Sequence, residues 1–159
     1  IGLVGGILGA RVIEMYEGDL QLYPEMAFFI PLIAAMGGNA GVQSSAIIVQ
    51  GLANNSLGFT GMFAKLSKEF LVGLLNGFVC SSLILIYNIF FNDSWGLSLT
   101  VSAALFTVII VATLFGTFVP LVLDKYDIDP ALATGPFITT VNDVLGLFIY
   151  FLIGHLFYI

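Results

Sequence analysis

The chain has 159 residues, 59% of them hydrophobic and 9% charged, with a mean hydropathy of +1.08 and a formal net charge of −6. Soluble domains carry roughly 25% charged residues, so this composition excludes a water-soluble globule and points to an integral membrane protein. The acidic balance excludes a nucleic-acid partner, whose phosphates need a basic surface, and the single cysteine, Cys80, excludes an intrachain disulfide.

Five apolar segments follow in order: Ile1–Ile13, Met26–Ala53, Phe70–Phe91, Leu97–Leu123 and Ala131–Ile159. The last four each exceed the roughly 20 residues needed to cross a hydrocarbon core. A spanning segment must satisfy its own backbone hydrogen bonds, so all are expected as helices. Ile1–Ile13 is too short to span, and it opens with neither a methionine nor the basic flank of a signal peptide. It reads as the second half of a helix whose beginning is missing, which would make the chain a piece of a longer protein. The expected fold class is an all-α integral membrane protein with five transmembrane helices, the first truncated.

The connections Glu14–Glu25, Asn54–Glu69, Asn92–Gly96 and Asp124–Pro130 then alternate between the two sides of the lipid bilayer. Lys65, Lys68 and Lys125 fall on one side and Arg11 towards the other. Basic residues mark the cytoplasmic face, so the missing N-terminal part is expected in the cytoplasm and Ile159 outside, in a multi-pass protein of the cell (inner) membrane. Glu14, Glu17, Asp19, Glu25 and Asp93 then make an acidic outer surface. Tyr16, Tyr23, Trp95 and Tyr158 are placed for an outer aromatic belt, with Tyr126 on the inner side.

Met26–Ala53 reads as a broken helix. Pro31 comes early, and Gly37-Gly38-Asn39-Ala40-Gly41-Val42-Gln43-Ser44-Ser45 lies near mid-membrane. Gly37 and Gly41 permit close helix packing, as do the pairs Gly5/Gly9 and Gly73/Gly77. Packing does not account for Asn39 and Gln43, which are one turn apart and share a face that must meet something polar. In Asn54–Glu69, the residues Leu57, Phe59, Met62, Phe63 and Leu66 alternate with Lys65, Lys68 and Glu69. This predicts a short amphipathic helix along the inner interface, capped by Asn55 or Ser56. Leu97–Leu123 reads as a packing helix that Gly116 and Pro120 kink.

Ala131–Ile159 holds the densest chemistry. Pro130 suits a first helical turn, and Gly135-Pro136 then frees a backbone carbonyl. Thr139-Thr140-Val141-Asn142-Asp143 follows within little more than one turn. A carboxylate at mid-membrane costs at least ~2.5 kcal/mol, so Asp143 is expected to face a cavity, a partner or a cation. Clustered weak oxygen contacts are what a hydrated cation path uses, and paired interrupted helices point to a binding site. His155, near the end of this segment, has no second histidine or carboxylate close in sequence and reads as an interfacial residue.

All these donors are oxygens, which favours a hard cation over zinc or copper. One carboxylate per chain is too little for a dehydrated divalent ion, whereas Mg²⁺ keeps its water and is often held by one or two carboxylates. Two chains about a two-fold axis would supply two, and a bound cation would relieve their mutual repulsion. An aspartyl protease would need a second deep aspartate, and no serine–histidine or metal-hydrolase spacing is present, so no enzyme is expected. A structural membrane anchor and a secondary divalent-cation transporter coupled to Na⁺ or H⁺ remain the competing readings.

The stretch Phe29-Ile30-Pro31 through Met36-Gly37-Gly38-Asn39-Ala40-Gly41-Val42-Gln43-Ser44-Ser45 closely resembles the second transmembrane helix of the MgtE magnesium channels. Asp129-Pro130-Ala131, Gly135-Pro136, Thr139-Thr140-Val141-Asn142-Asp143 and Gly146 resemble that family's last helix. The resemblance implies a homodimeric Mg²⁺-selective channel with five helices per subunit and the pore on the two-fold axis. It implies that Asp143 holds hydrated Mg²⁺ with help from the Thr139 carbonyl, and that Asp129 lies at the cytoplasmic mouth. Gly37, Gly38, Asn39, Gly41, Gln43, Gly135, Thr140 and Asn142 would line the pore, Gly135 standing where some members carry a polar side chain. The family's cytoplasmic N domain and paired CBS modules have no counterpart here, so residues 1–159 are expected to be a single channel domain without its main Mg²⁺-sensing brake.

Overall fold

The computed structural model describes residues 1–54, 61–91, 94–133 and 135–157, and every regular element among them is a helix. In chain order these are α1 (Gly2–Met15), α2 (Glu17–Leu22), a 3₁₀ turn (Pro24–Phe29), α3 (Ile30–Ala53), α4 (Met62–Phe91), α5 (Trp95–Lys125), a second 3₁₀ turn (Pro130–Ala133) and α6 (Pro136–Phe157). Four of them are long and apolar enough to cross a membrane: Pro24–Ala53, Met62–Phe91, Trp95–Lys125 and Pro136–Phe157. At 14 residues, α1 reaches only about 21 Å, short of a bilayer.

The long helices run antiparallel to their neighbours in sequence, and α5 is the central one. It packs against α3, α4 and α6, while α1 lies on α6 and α4 packs chiefly on α5. Half of the apolar stretch of α5 is buried, against 11% for α4. Val101, Leu105, Val108 and Ile109 of α5 meet Ile33 of α3 and Tyr150 and Phe151 of α6 in one apolar core. Three of the buried polar side chains of α5 turn onto their own chain: Ser98 Oγ donates to the Ser94 carbonyl at 2.9 Å, and two more bond within the helix. Ser102 Oγ donates to the Ser98 carbonyl (2.8 Å), and Thr117 Oγ1 donates to the Thr113 carbonyl (3.0 Å). Both therefore meet the demand for internal hydrogen-bond partners.

Local chemistry sets the helix ends. Ser94 caps α5, its Oγ accepting from Leu97 N (3.3 Å). Lys125 stands in the last turn of α5, where a cation complements the helix dipole. The chain then leaves through Asp127 at φ 56°, a left-handed position that short polar side chains tolerate. At the Trp95 end of the bundle, Tyr150 Oη donates 2.9 Å to the carbonyl of Met26, joining α6 to the 3₁₀ turn before α3. Tyr150→Phe would leave that carbonyl without this donor in a buried site. We expect it to lower stability by about 1–3 kcal/mol, measured by thermal unfolding in detergent.

Three sequence expectations change at this level. The Gly37–Ser45 stretch does not break its helix, because α3 is continuous from Ile30 to Ala53. Its glycines serve close packing, and Pro31 sits in the first turn, where its missing N–H is harmless. No separate interfacial helix precedes the second long span within the described residues. Met62–Glu69 is continuous with α4, since no glycine or proline interrupts it, and the proposed caps Asn55 and Ser56 lie outside the described residues. Finally, Gly135-Pro136 is not a kink inside a helix but the start of one. Gly135 takes φ +59° and Pro136 opens α6, so this proline removes no intrahelical bond.

Candidate functional site

Three polar residues of α6 gather at a cleft of about 700 Å³ between α1 and α6, with Val42 of α3 on its wall. Gly5 and Gly9 form the α1 side, and Thr139, Thr140 and Asp143 the α6 side. Small residues on α1 let the two helices close together. A Cβ on Gly5 would run into the Thr140 side chain, and one on Gly9 would touch Leu147 at 3.4 Å. Gly73 and Gly77 do the same for α4, against Thr113 and Phe106 of α5.

Asp143 stands two turns into α6, half-buried, and makes no hydrogen bond or ion pair with any described residue. Across from it is Gly38 of α3. A Cβ there would lie 2.6 Å from Asp143 Oδ1 and 3.2 Å from Thr139 Cγ2, so only glycine leaves the carboxylate its place. Thr139 lines the same cleft. Its N–H and its Oγ1 both donate to the Gly135 carbonyl at 3.1 Å, which secures the first turn of α6 beneath Asp143. Gly135 and Thr140 line the cleft as well.

The other residues singled out from sequence are dispersed. Gly37 and Gly41 are buried in helix packing: Gly37 against Val108 and the Asn142 carbonyl, Gly41 against the Asn142 side chain. Asn142 is 1% exposed and turned towards α3 instead of the cleft, and neither its Oδ1 nor its Nδ2 has a partner. Asn39 and Gln43 share the exposed side of α3, beside the direction in which Gly38 faces Asp143. Asp129 is outside the bundle. It accepts from Ala131 N (2.9 Å), starting the 3₁₀ turn, and lines a smaller cavity with Asp124 near the end of α3. Among the described residues no three His, Cys, Asp or Glu side chains gather as a metal cage.

One polar contact was not visible in the sequence. His155 Nδ1 lies 2.9 Å from Asp19 Oδ2, tying the end of α6 to α2. Tyr16 stacks on Phe151 at 5.2 Å and meets His155 edge-on at 6.4 Å. The partners are 136 residues apart, and the only sequence signal was that both fall on the same side when the spans are counted.

The architecture is that of a polytopic all-α membrane domain with a single carboxylate in a largely apolar cleft. The family model described as MgtE, divalent cation transporter, matches residues 30–153, and the chain belongs to that family. It is 37% identical over 146 residues to a Bacillus subtilis protein named magnesium transporter MgtE, an alignment covering 92% of this chain and 32% of that protein. Proteins of the same name from Enterococcus faecalis and Thermus thermophilus are 36% and 30% identical, over 96% and 97% of this chain and 34% of each relative. The chain thus spans about a third of the length of these curated relatives.

Proposed function

We propose that this domain conducts Mg²⁺ as a homodimeric channel whose pore runs between two copies of the α1–α6 cleft. The observation that carries this reading is Asp143, a partnerless carboxylate in a spanning helix, open to a cleft that it shares with Thr139 and Thr140 and kept clear by Gly38. Such a group is retained in a membrane for a cavity or an ion. One chain supplies one carboxylate, and a two-fold axis doubles it to −2, which suits a divalent ion that keeps its water. Asn39 and Gln43 support the second copy, because two exposed amides halfway along a spanning helix need cover from lipid. The naming of the relatives as magnesium transporters supports the choice of ion.

In this reading α1 belongs to a fifth span, the lysine-bearing end of the bundle is cytoplasmic, and Ile159 lies outside. The contact between Asp143 and Mg²⁺ is through the ion's water, with the carbonyl of Thr139 one turn nearer the cytoplasm as a further acceptor. The alternative is a carrier coupled to Na⁺ or H⁺, which would draw on interrupted helices; α3 is continuous. The two separate in vesicles with a clamped membrane potential. Mg²⁺ entry that follows voltage in the absence of any Na⁺ or H⁺ gradient is expected. Entry that stops when those gradients are removed would make the protein a coupled carrier.

A further inference from the structure

A second cavity, of about 590 Å³, lies far from Asp143 on the outer flank of the bundle, between the start of α4 and the second half of α5. Its walls are Phe63, Leu66 and Phe70 of α4 and Leu114, Phe115 and Phe118 of α5. The one hydroxyl on the wall, Ser67 Oγ, already donates to the Phe63 carbonyl at 2.9 Å and offers little to a polar ligand. Phe63 is 84% exposed, so this is an open apolar trough and not a closed core.

The charge around the trough is unlike that of the rest of the chain. Of the four Lys and Arg residues in a chain of net charge −6, three are found at this end of α4 and α5. Lys125 is seven residues beyond Phe118, on the same face of α5 and about 10 Å further along the axis. Lys68 belongs to the second turn of α4 and is exposed, with the half-buried Lys65 beside it. None of the three has an ion-pair partner among the described residues. Four carboxylates share this end but none lines the trough: Asp124 and Asp129 line the separate cavity towards α3, Asp127 is exposed in the turn after α5, and Glu69 falls on the other side of the α4–α5 seam with its Oε2 buried.

We infer that this trough is a binding site for an anionic diacyl phospholipid, with acyl chain against the phenylalanines and phosphodiester headgroup held by Lys125 and Lys68. The depth relation fits for Lys125, because a lysine two turns beyond an apolar trough stands where a headgroup stands relative to its chains; Lys68 starts level with the trough wall, and its side chain leans towards the start of α4, the same end of the bundle. Long lysine stems extend along apolar surface to bring the ammonium to that level. The lipid thereby supplies the negative charge that the protein withholds from these lysines.

Each basic residue at an anionic membrane surface contributes about fivefold in affinity, so two multiply to about 25-fold, and a preference of at least about tenfold for an anionic over a zwitterionic headgroup is expected. The test is native mass spectrometry of the detergent-purified chain with equal amounts of dioleoyl phosphatidylglycerol and dioleoyl phosphatidylcholine. Wild type is expected to retain the anionic lipid about tenfold more. Lys68→Gln/Lys125→Gln should bring the ratio near unity, Lys68→Arg/Lys125→Arg should preserve it, and Leu114→Trp should remove one bound lipid of either kind per chain. Equal retention by wild type, or a preference that survives the double Gln substitution, overturns the proposal. Displacement by glycerol phosphate alone makes the site one for small anions. A changed oligomeric state in Leu114→Trp without lipid loss gives the trough to a protein neighbour. Either result also overturns it. None of these outcomes depends on whether Mg²⁺ passes by channel or carrier.

Discussion

Asp143→Asn is expected to reduce Mg²⁺ entry at least about 100-fold while leaving helix content and oligomeric state unchanged. In the proposed dimer the substitution removes both charges of the site. A carboxylate acting on a divalent ion through one water layer, at an effective dielectric of about 20, contributes several kcal/mol, and every 1.4 kcal/mol is tenfold in occupancy. Stability should move the other way. A neutral amide is cheaper in a membrane than a carboxylate with no partner, so Asp143→Asn should unfold at an equal or higher temperature. Asp143→Glu keeps the charge but lengthens the side chain in a space that Gly38 already leaves tight, and intermediate flux is expected. Flux by vesicle uptake and stability by thermal unfolding check the pair of effects. Wild-type uptake by the Asn variant would return Asp143 to the role of a structural polar residue.

How much of this was legible beforehand follows from what each signal encodes. Hydropathy located the four long helices because bilayer thickness sets their length and backbone satisfaction sets their type. Asp143 was legible for the same reason: its cost depends only on depth, which the apolar run around it reports. The role of the glycines was legible only in part. Gly37 and Gly41 read as packing glycines in sequence, as they are, but the run through Ser45 also reads as a break, and the structure uses Gly37, Gly38 and Gly41 inside a continuous helix. Only the packing partners distinguish them: Val108 for Gly37, the Asp143 carboxylate for Gly38 and the Asn142 amide for Gly41. Prolines misled similarly, since Pro136 can kink a helix or begin one, and the left-handed Gly135 before it decides for a beginning. The direction of Asn142 was illegible too. Adjacent residues on a helix point about 100° apart: Thr139, Thr140 and Asp143 share the cleft face, and Asn142 falls on the next face, towards α3.

Gly116 of α5 lies so close to α3 that a Cβ would run into the Gly41 carbonyl, a backbone atom that cannot turn aside. Gly116→Ala is therefore expected to cost about 3 kcal/mol or more, the upper range for overpacking, with no single side-chain change able to restore it. Gly41→Ala is a different case, because its Cβ would overlap Asn142 Nδ2, a side-chain atom. Alone it should cost about 1–3 kcal/mol. Asn142→Ala should be near neutral, since the volume it loses is offset by removing an amide whose two polar atoms are buried without partners. Combined, the new methyl fills the space the amide vacates, and stability should return close to wild type, a coupling of about 1–3 kcal/mol in the double-mutant cycle. Thermal unfolding of the four proteins measures it. The cycle also decides what Asn142 does, because the sequence placed it on the pore and the structure turns it into the α3–α6 contact. If it packs, Mg²⁺ uptake should follow stability through the cycle and recover in Gly41→Ala/Asn142→Ala. If the double variant is as stable as wild type and still fails to transport, Asn142 reaches the ion path in the conducting state, and α6 must turn about its axis to bring it there.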